Sequence, residues 1–454
     1  MTNQREVDVV VIGLGPGGSA AVRTLAEAGL DVVGIEENLV GGECPFYGCT
    51  PSKLMIRASD VLAEARRVPR FAGAADVRPD WAPVAARIRE VTADWTDDDH
   101  VADLEKAGAT VVHGRGRLDG PGRVLVASHG ATTTYVARRG VVLGTGTAPA
   151  VLPIDGLADT PYWTNREVVA VTDLPASLVV VGGGPIGAEL AQVFARFGVD
   201  VTLVETLDQL LGKDEPEAAR VVRSVLEAEG VTVRTGVEVG RVDHDDDGFH
   251  VRLDDETLTA EQVLVAAGRH LNLTGIGLDT LGLDEDADRL ATDERMRAGE
   301  RLWALGDITG EGAYTHVATY QARIACRDLL GEDGPWADYR AVARVTFTDP
   351  EVGGVGLTEE QAREAGIRVL TGTSDVSDSS RGWIHGAEGV VKVVADADRG
   401  ILVGATVVAP YAGEIVGLLT TAVHAEVPVA VLLEMHYAFP TLHSAILTAL
   451  RDLA

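Results

Sequence analysis

The chain has 454 residues, 46% of them hydrophobic, and a formal net charge of −30. That length supports two or three domains with cores of their own, and the acidic balance excludes a nucleic-acid backbone or an anionic membrane surface as partner, because phosphates are repelled rather than neutralised. Three cysteines are too few for a secreted disulfide framework, and the start, "MTNQREVDVVVIGLGPGG", fits neither a signal peptide nor a membrane span, so a cytoplasmic protein that folds without staples is expected.

Residues 7 to 36, "VDVVVIGLGPGGSAAVRTLAEAGLDVVGIE", predict a β-branched strand, a glycine turn, an Ala-rich helix and a second strand closing on Glu36. In that context Gly13, Gly15 and Gly18 form a GxGxxG fingerprint: a tight turn, close backbone approach to a pyrophosphate, and close helix-to-strand packing. The helix N-terminus offers free N–H groups to phosphates, and Glu36 is spaced to accept hydrogen bonds from a ribose. "GGECPFYGCTPSK" follows, residues 41 to 53, with a helix expected just after Cys49. "RRGVVLGTGTAPAVLPIDG" reads as a strand entering a Gly/Pro-rich crossover and places a boundary near residue 150.

From Ser177 to Glu205, "SLVVVGGGPIGAELAQVFARFGVDVTLVE" repeats the order of elements, with Gly182, Gly184 and Gly187 in the turn and Glu205 at the end. An acid there repels a 2′-phosphate, and "ETLDQLLG" holds no arginine to receive one, so NADH is favoured over NADPH. "EQVLVAAGRHLNLTGIGLD" reads as a further strand and turn, and "ERLWALGDITGEGAYTHVATYQARIA" as a strand, a Gly-Asp turn and a helix. From about residue 340, "ARVTFTDPEVGGVGLTEEQAREAG" and "GVVKVVADADRGILVGATVVAP" alternate as antiparallel strands do, and Ala- and Leu-rich helical segments follow.

Cys44 and Cys49 stand with four residues between them. That gap is wider than a zinc knuckle's, and no second Cys or His pair lies nearby to complete a ligand set. A staple closing so small a loop adds little stability. A cysteine at a helix N-terminus has its thiolate stabilised, which a redox disulfide requires. Cys326, in "ARIACRDLL", reads as a small buried apolar residue.

The pattern Gly-Gly-x-Cys-x4-Cys-x-Pro-Ser-Lys, with two GxGxxG units, "LWALGD" and "TFTDPEVGGVG", resembles the FAD-dependent pyridine nucleotide-disulfide oxidoreductases. That family includes dihydrolipoamide dehydrogenase, glutathione reductase and mercuric reductase, and "TPYWTNREVV" and "PSKLMIRAS" are most similar to the mercuric reductase branch. The resemblance implies an α/β fold of two Rossmann-like dinucleotide-binding domains and a C-terminal α+β dimerisation domain: an FAD domain over 1–150 and 271–338, an NAD(P) domain over 151–270, and an interface domain over 339–454. It implies FAD on the first unit and NAD(P)H on the second, with Gly42, Gly146 and Gly268 counted among the cofactor-binding positions. Cys49 would be the flavin-side thiol and Cys44 the outer thiol that meets substrate. Lys53 would lie near the flavin and pair with Glu189, and Asp307 would bind the ribityl chain. A homodimer is implied, together with a disulfide, dithiol or other small electron acceptor, and no metal site.

The resemblance departs at the C-terminus. Disulfide-reducing members carry His-Pro-Thr-x-x-Glu, whereas "MHYAFPTLHSAIL" sets Phe439 at the His position and Ser444 at the Glu position. Tyr437, His436 and His443 lie nearby, read first as surface or interface residues. Mercuric reductases also have Phe before Pro but finish in a cysteine pair, absent from "LRDLA", which weighs against a mercury substrate. Phe46 and Tyr47 in the redox loop either narrow the approach to Cys44 or stack on a flat acceptor, or else pack into the flavin domain. Two other functions remain open: a quinone or metal-ion reductase using the flavin directly, and an FAD- and NADH-binding sensor with little turnover.

Overall fold

The computed structural model describes residues 3–128 and 130–453. They divide into two units: one holds the residues up to Pro51, with Ile88–Ala150 and Arg269–Asp338, and the other holds Ser52–Arg87, Val151–Gly268 and the residues from Tyr339 onward.

The first unit is built on an eight-stranded sheet. Its parallel part runs in the order Leu302–Ala304, Ala131–Leu143, Asn3–Ile12, Val32–Glu36, Thr110–His113. A hairpin of Arg115–Leu118 and Arg123–Ser128 extends from the long Ala131–Leu143 strand. Val9, Val10 and Val11 of the central strand are all fully buried. Val9 and Val11 pack with Val22 and Leu25 of the helix Pro16–Glu27 and with Ile324 of the helix Thr315–Leu330, while Val10 and Ile12 face Leu118 and Val126. Burial on both faces is why the strand is an unbroken β-branched run, and each such side chain contributes about 1.5–3 kcal/mol by leaving water.

One turn in this unit is strained. Just before the helix Asp98–Lys106, residues Ala93, Asp94 and Trp95 have φ of 48, 50 and 58°. None is glycine, and each non-glycine residue held there costs about 1–2 kcal/mol. The Trp95 N–H donates to the Thr92 carbonyl at 2.8 Å and the Thr96 N–H to Ala93 at 3.2 Å, closing the turn.

The second unit contains a parallel sheet in the order Thr232–Thr235, Asp200–Glu205, Ser177–Val181, Gln262–Val265, and a three-stranded antiparallel meander from Arg241 to Ala260. Its C-terminal part is a five-stranded antiparallel sheet. Val393, Ala405 and Val407 of that sheet pack against Leu419 and Ile446 of the helices Ala412–His424 and His443–Arg451.

A buried charge cluster ties this unit together. Arg196 ends the helix Pro185–Arg196 with its side chain only 2% exposed. It donates to Glu229 at 2.9 and 2.8 Å, to Asp60 at 2.8 Å and to Asp349 at 2.7 Å, and Arg67 reaches the same Asp349 oxygen at 2.5 Å. Burial pushes the Asp60 carboxyl up to about 6, Arg196 pulling the other way and Asp349 adding to the rise. Asp349 is held below the usual range: burial works against its charge, but Arg196 and Arg67 outweigh it.

Because Asp60 titrates near 6 in the folded chain against an ordinary 3.8, the folded state keeps a proton that the unfolded chain has already released, so stability falls as pH rises between those values. Asp60→Asn keeps an oxygen for Arg196 and carries no charge. It is expected to stabilise the protein at about pH 8 by on the order of 1 kcal/mol, discounted for the screening of a partly exposed side chain, and to give no gain at about pH 4. Thermal melts of both proteins at the two pH values check this, and an equal gain at both would refute it.

Candidate active site

The two glycine turns have the same construction. Gly13 has φ 88°, and a Cβ on Gly18 would stand 1.9 Å from the Gly13 carbonyl oxygen; Gly182 has φ 109°, and a Cβ on Gly187 would stand 1.8 Å from the Gly182 oxygen. No side chain fits either approach. Gly15 and Gly184 precede the helices Pro16–Glu27 and Pro185–Arg196, and a Cβ on either would meet nothing within 4 Å. Each turn thus presents bare backbone and a helix N-terminus to open space, as an anionic ligand requires.

The acids at the ends of the following strands are also built alike. Glu36 accepts from the Leu14 N–H at 2.7 Å and the Asn38 N–H at 2.8 Å. Burial raises its pKa, and the N–H groups of Leu14 and Asn38 oppose the rise. Glu205 accepts from the Gly183 N–H at 2.6 Å and the Leu207 N–H at 2.9 Å. Each carboxylate ties the glycine turn to the loop beyond its strand.

Further residues of the first unit converge on the first turn. Gly42 has φ 71°, and a Cβ there would lie 2.6 Å from Gly15 Cα, so the cysteine-bearing loop packs on the glycine turn. Gly146 has φ 63° with open space where a Cβ would be. Thr145 Oγ1 is buried without a hydrogen-bond partner, the one such side-chain atom among the described residues. Asp307 Oδ2 accepts from Thr147 Oγ1 at 2.6 Å, Arg269 Nε donates to that Thr147 oxygen at 2.7 Å, and Arg269 Nη2 donates to Glu43 Oε2 at 2.5 Å. An orphaned hydroxyl, two open glycines and a free helix N-terminus fit a bound dinucleotide. Gly268, φ 77°, immediately precedes the strand Arg269–Leu271.

Cys44 lies in the single helical turn Glu43–Phe46, and Cys49 is the first residue of the helix Cys49–Phe71. Cys44 is half-buried and Cys49 exposed. The Cys44 thiol is pushed well up, first by its hydrogen bond with Cys49 and then by burial, with a hydrogen bond from Thr315 opposing. Thr315 Oγ1 also lies 3.7 Å from Cys49 Sγ. Thr315 opens the helix Thr315–Leu330 and escaped the sequence reading. So did Arg269 and the Glu43 that it holds, although an acid between Gly42 and Cys44 was a signal that some cation awaited it. Phe46 is buried, packed within the unit and not presented at the thiols.

In the second unit Lys53 Nζ lies 2.7 Å from Glu189 Oε2, and the other Glu189 oxygen accepts from the Phe347 N–H at 2.8 Å. Lys53 also stands 4.8 Å from the Phe347 ring centroid. Glu189 is buried, and these partners occupy both of its oxygens. Phe439 is 77% exposed, Ser444 Oγ donates to the Thr441 carbonyl at 2.8 Å, and the Tyr437 hydroxyl donates to the Leu432 carbonyl at 3.0 Å. Among the described residues no cluster of His, Cys, Asp or Glu is arranged to hold a metal, and no helix is long and apolar enough to cross a membrane.

The sequence pattern of the pyridine nucleotide-disulphide oxidoreductases matches residues 7–322, and that of their dimerisation domain matches residues 342–450. The chain belongs to this family. Among relatives of this oxidoreductase, a dihydrolipoyl dehydrogenase of Halobacterium salinarum is 36% identical over 97% of this chain and 95% of that protein. A mercuric reductase of Streptomyces lividans is 31% identical over 97% and 94%. The crystal structure of LpdA from Mycobacterium tuberculosis superimposes with a TM-score of 0.87 at 28% identity, covering 98% of this chain and 99% of that one. The protein is therefore an FAD-family oxidoreductase with the two dinucleotide-binding folds and the α+β dimerisation domain of the disulfide reductases.

Proposed function

We propose that this oxidoreductase passes electrons from NADH through FAD to a Cys44–Cys49 disulfide and on to a small disulfide or other electrophilic acceptor. The observation that carries this reading is the thiol pair itself: Cys44 and Cys49 hydrogen-bonded to each other, with the Thr315 hydroxyl against Cys49. FAD, when bound, takes a hydride from a reduced nicotinamide and gives an electron pair to a disulfide.

The chain's own residues support the rest. Gly13, Gly15, Gly18, Glu36, Gly42, Gly146 and Asp307 form the FAD site, and Gly182, Gly184, Gly187, Glu205 and Gly268 the nicotinamide dinucleotide site. Cys49, at a helix N-terminus and beside the Thr315 hydroxyl, is the thiol stabilised as an anion, whereas Cys44 is the outer thiol that meets the acceptor. Lys53, held by Glu189, supplies a fixed positive charge. The domains are the FAD domain of 1–150 and 271–338, the NAD domain of 151–270 and the interface domain of 339–454. The last of these joins two copies in a cytoplasmic homodimer, a role that suits its exposed Trp383, Tyr411 and Phe439.

With Phe439 and Ser444 in place of a His-Glu dyad, acid catalysis of leaving-group departure, worth typically about 10²- to 10⁴-fold, is missing from that position. The reading therefore favours acceptors whose leaving thiolate needs no proton. An anaerobic titration of the FAD-loaded protein with NADH, and separately with NADPH, tests it. A long-wavelength absorbance band after two electrons, raised at lower NADH than NADPH, is expected. Direct bleaching of the flavin without that band would overturn it in favour of a quinone or metal-ion reductase.

A further inference from the structure

The stretch from Val40 to Phe46 carries Cys44, and one distant segment, residues 93–100, grips it at both ends. At the near end the Val40 N–H donates to Asp97 Oδ2 at 2.7 Å, an oxygen that His113 Nε2 also meets at 2.9 Å. At the far end Trp95 Nε1 donates to the Phe46 carbonyl at 3.1 Å. His100 sets its ring edge-on to Phe46, centroids 5.5 Å apart. Between these anchors Gly41 lies so close that a Cβ would stand 3.1, 3.3 and 3.4 Å from the side chains of Pro45, Phe46 and His100. Trp95 reaches its carbonyl from the last of the three consecutive left-handed residues. A turn of that kind without glycine persists only where its surroundings over-determine it, and such strain gathers where geometry matters for function.

We propose that residues 93–100 are a clamp that sets how closely Cys44 is held to Cys49, with Trp95 as its positioning residue. The role rests on the redox reading of the pair. Disulfide closure is an intramolecular exchange, so its equilibrium depends on how often the two sulfurs meet. Holding the carbonyl two residues beyond Cys44 narrows the loop's excursions and favours the disulfide, and freeing it favours the dithiol.

The test equilibrates the FAD-loaded protein with mixtures of dithiothreitol and its cyclic disulfide, then counts free thiols by alkylation and mass. In this exchange the protein S–S bond breaks, the reagent's S–S bond closes, and two electrons and two protons pass to Cys44 and Cys49. Trp95→Phe keeps a ring and deletes the N–H. It is expected to shift the equilibrium about fivefold toward the dithiol, about 20 mV for a two-electron couple, with FAD content and melting temperature as in the wild type. Asp97→Ala, which frees Val40, shifts it the same way, and Asp97→Asn, which keeps an oxygen for Val40, restores it. An unshifted equilibrium in Trp95→Phe overturns the clamp, as does a shift accompanied by lost FAD or early melting, which marks a merely structural role. Because dithiothreitol reaches the pair without the flavin, a wild-type protein that yields no band with NADH defeats the electron-transfer reading and leaves the clamp measurement standing.

Discussion

Cys49→Ser removes the long-wavelength band that NADH is expected to raise in the wild-type protein, and lowers disulfide reduction by on the order of 10⁴-fold, the scale of losing a nucleophile that no neighbour replaces. A serine hydroxyl in that place neither ionises near neutral pH nor forms a disulfide. Cys44→Ser separates the two sulfurs' roles: it ends turnover with disulfides just as completely but leaves Cys49 as a lone thiolate, so the band stands before any NADH is added. Stopped-flow absorbance with NADH and a disulfide acceptor reads both. If Cys49→Ser turns over a disulfide near the wild-type rate, the pair is secondary. Undiminished quinone reduction in both variants would point to direct use of the flavin.

The second large effect is on stability. Arg196→Met leaves Asp60, Glu229 and Asp349 without the guanidinium that each contacts at 2.7 to 2.9 Å. Breaking a buried ion pair from one side costs roughly 3–5 kcal/mol, because the remaining charges stay desolvated. Arg67 still reaches Asp349 and limits the loss there alone. The heat-unfolding midpoint at neutral pH should fall by roughly 5 °C or more. The sign with pH is fixed by linkage: carboxylates deprived of their cation have raised folded pKa values, so the deficit is full when they are ionised and shrinks as pH falls and they protonate. A variant that melts with the wild type at neutral pH would mean the cluster contributes no net stability.

Much of the fold was legible because its signals are local. Each βαβ unit is contiguous, and the glycines at 18 and 187 are demanded by the carbonyls of Gly13 and Gly182, a few residues earlier in the same turn. The acids at 36 and 205 are legible by spacing, read as a ribose acceptor and as a bar to a 2′-phosphate, whereas both also hold two backbone N–H groups. What escaped depends on distant partners. Thr315 meets Cys49 across 266 positions and Arg269 meets Glu43 across 226, and no periodicity records such a pairing. The turn at Ala93, Asp94 and Trp95 lacks the glycine that normally announces a left-handed backbone. Phe46 reads on sequence either as a residue at the thiols or as part of the flavin domain's packing, and its burial favours the second.

The tethering of Glu205 bears on coenzyme exchange. An arginine at that position would welcome a 2′-phosphate, but it would also release the N–H groups of Gly183 and Leu207 from their acceptor, leaving the glycine turn to be retied by a second change. Position 205 thus carries a structural duty whichever nicotinamide coenzyme is bound, and a substitution there aimed at the coenzyme also unties the turn.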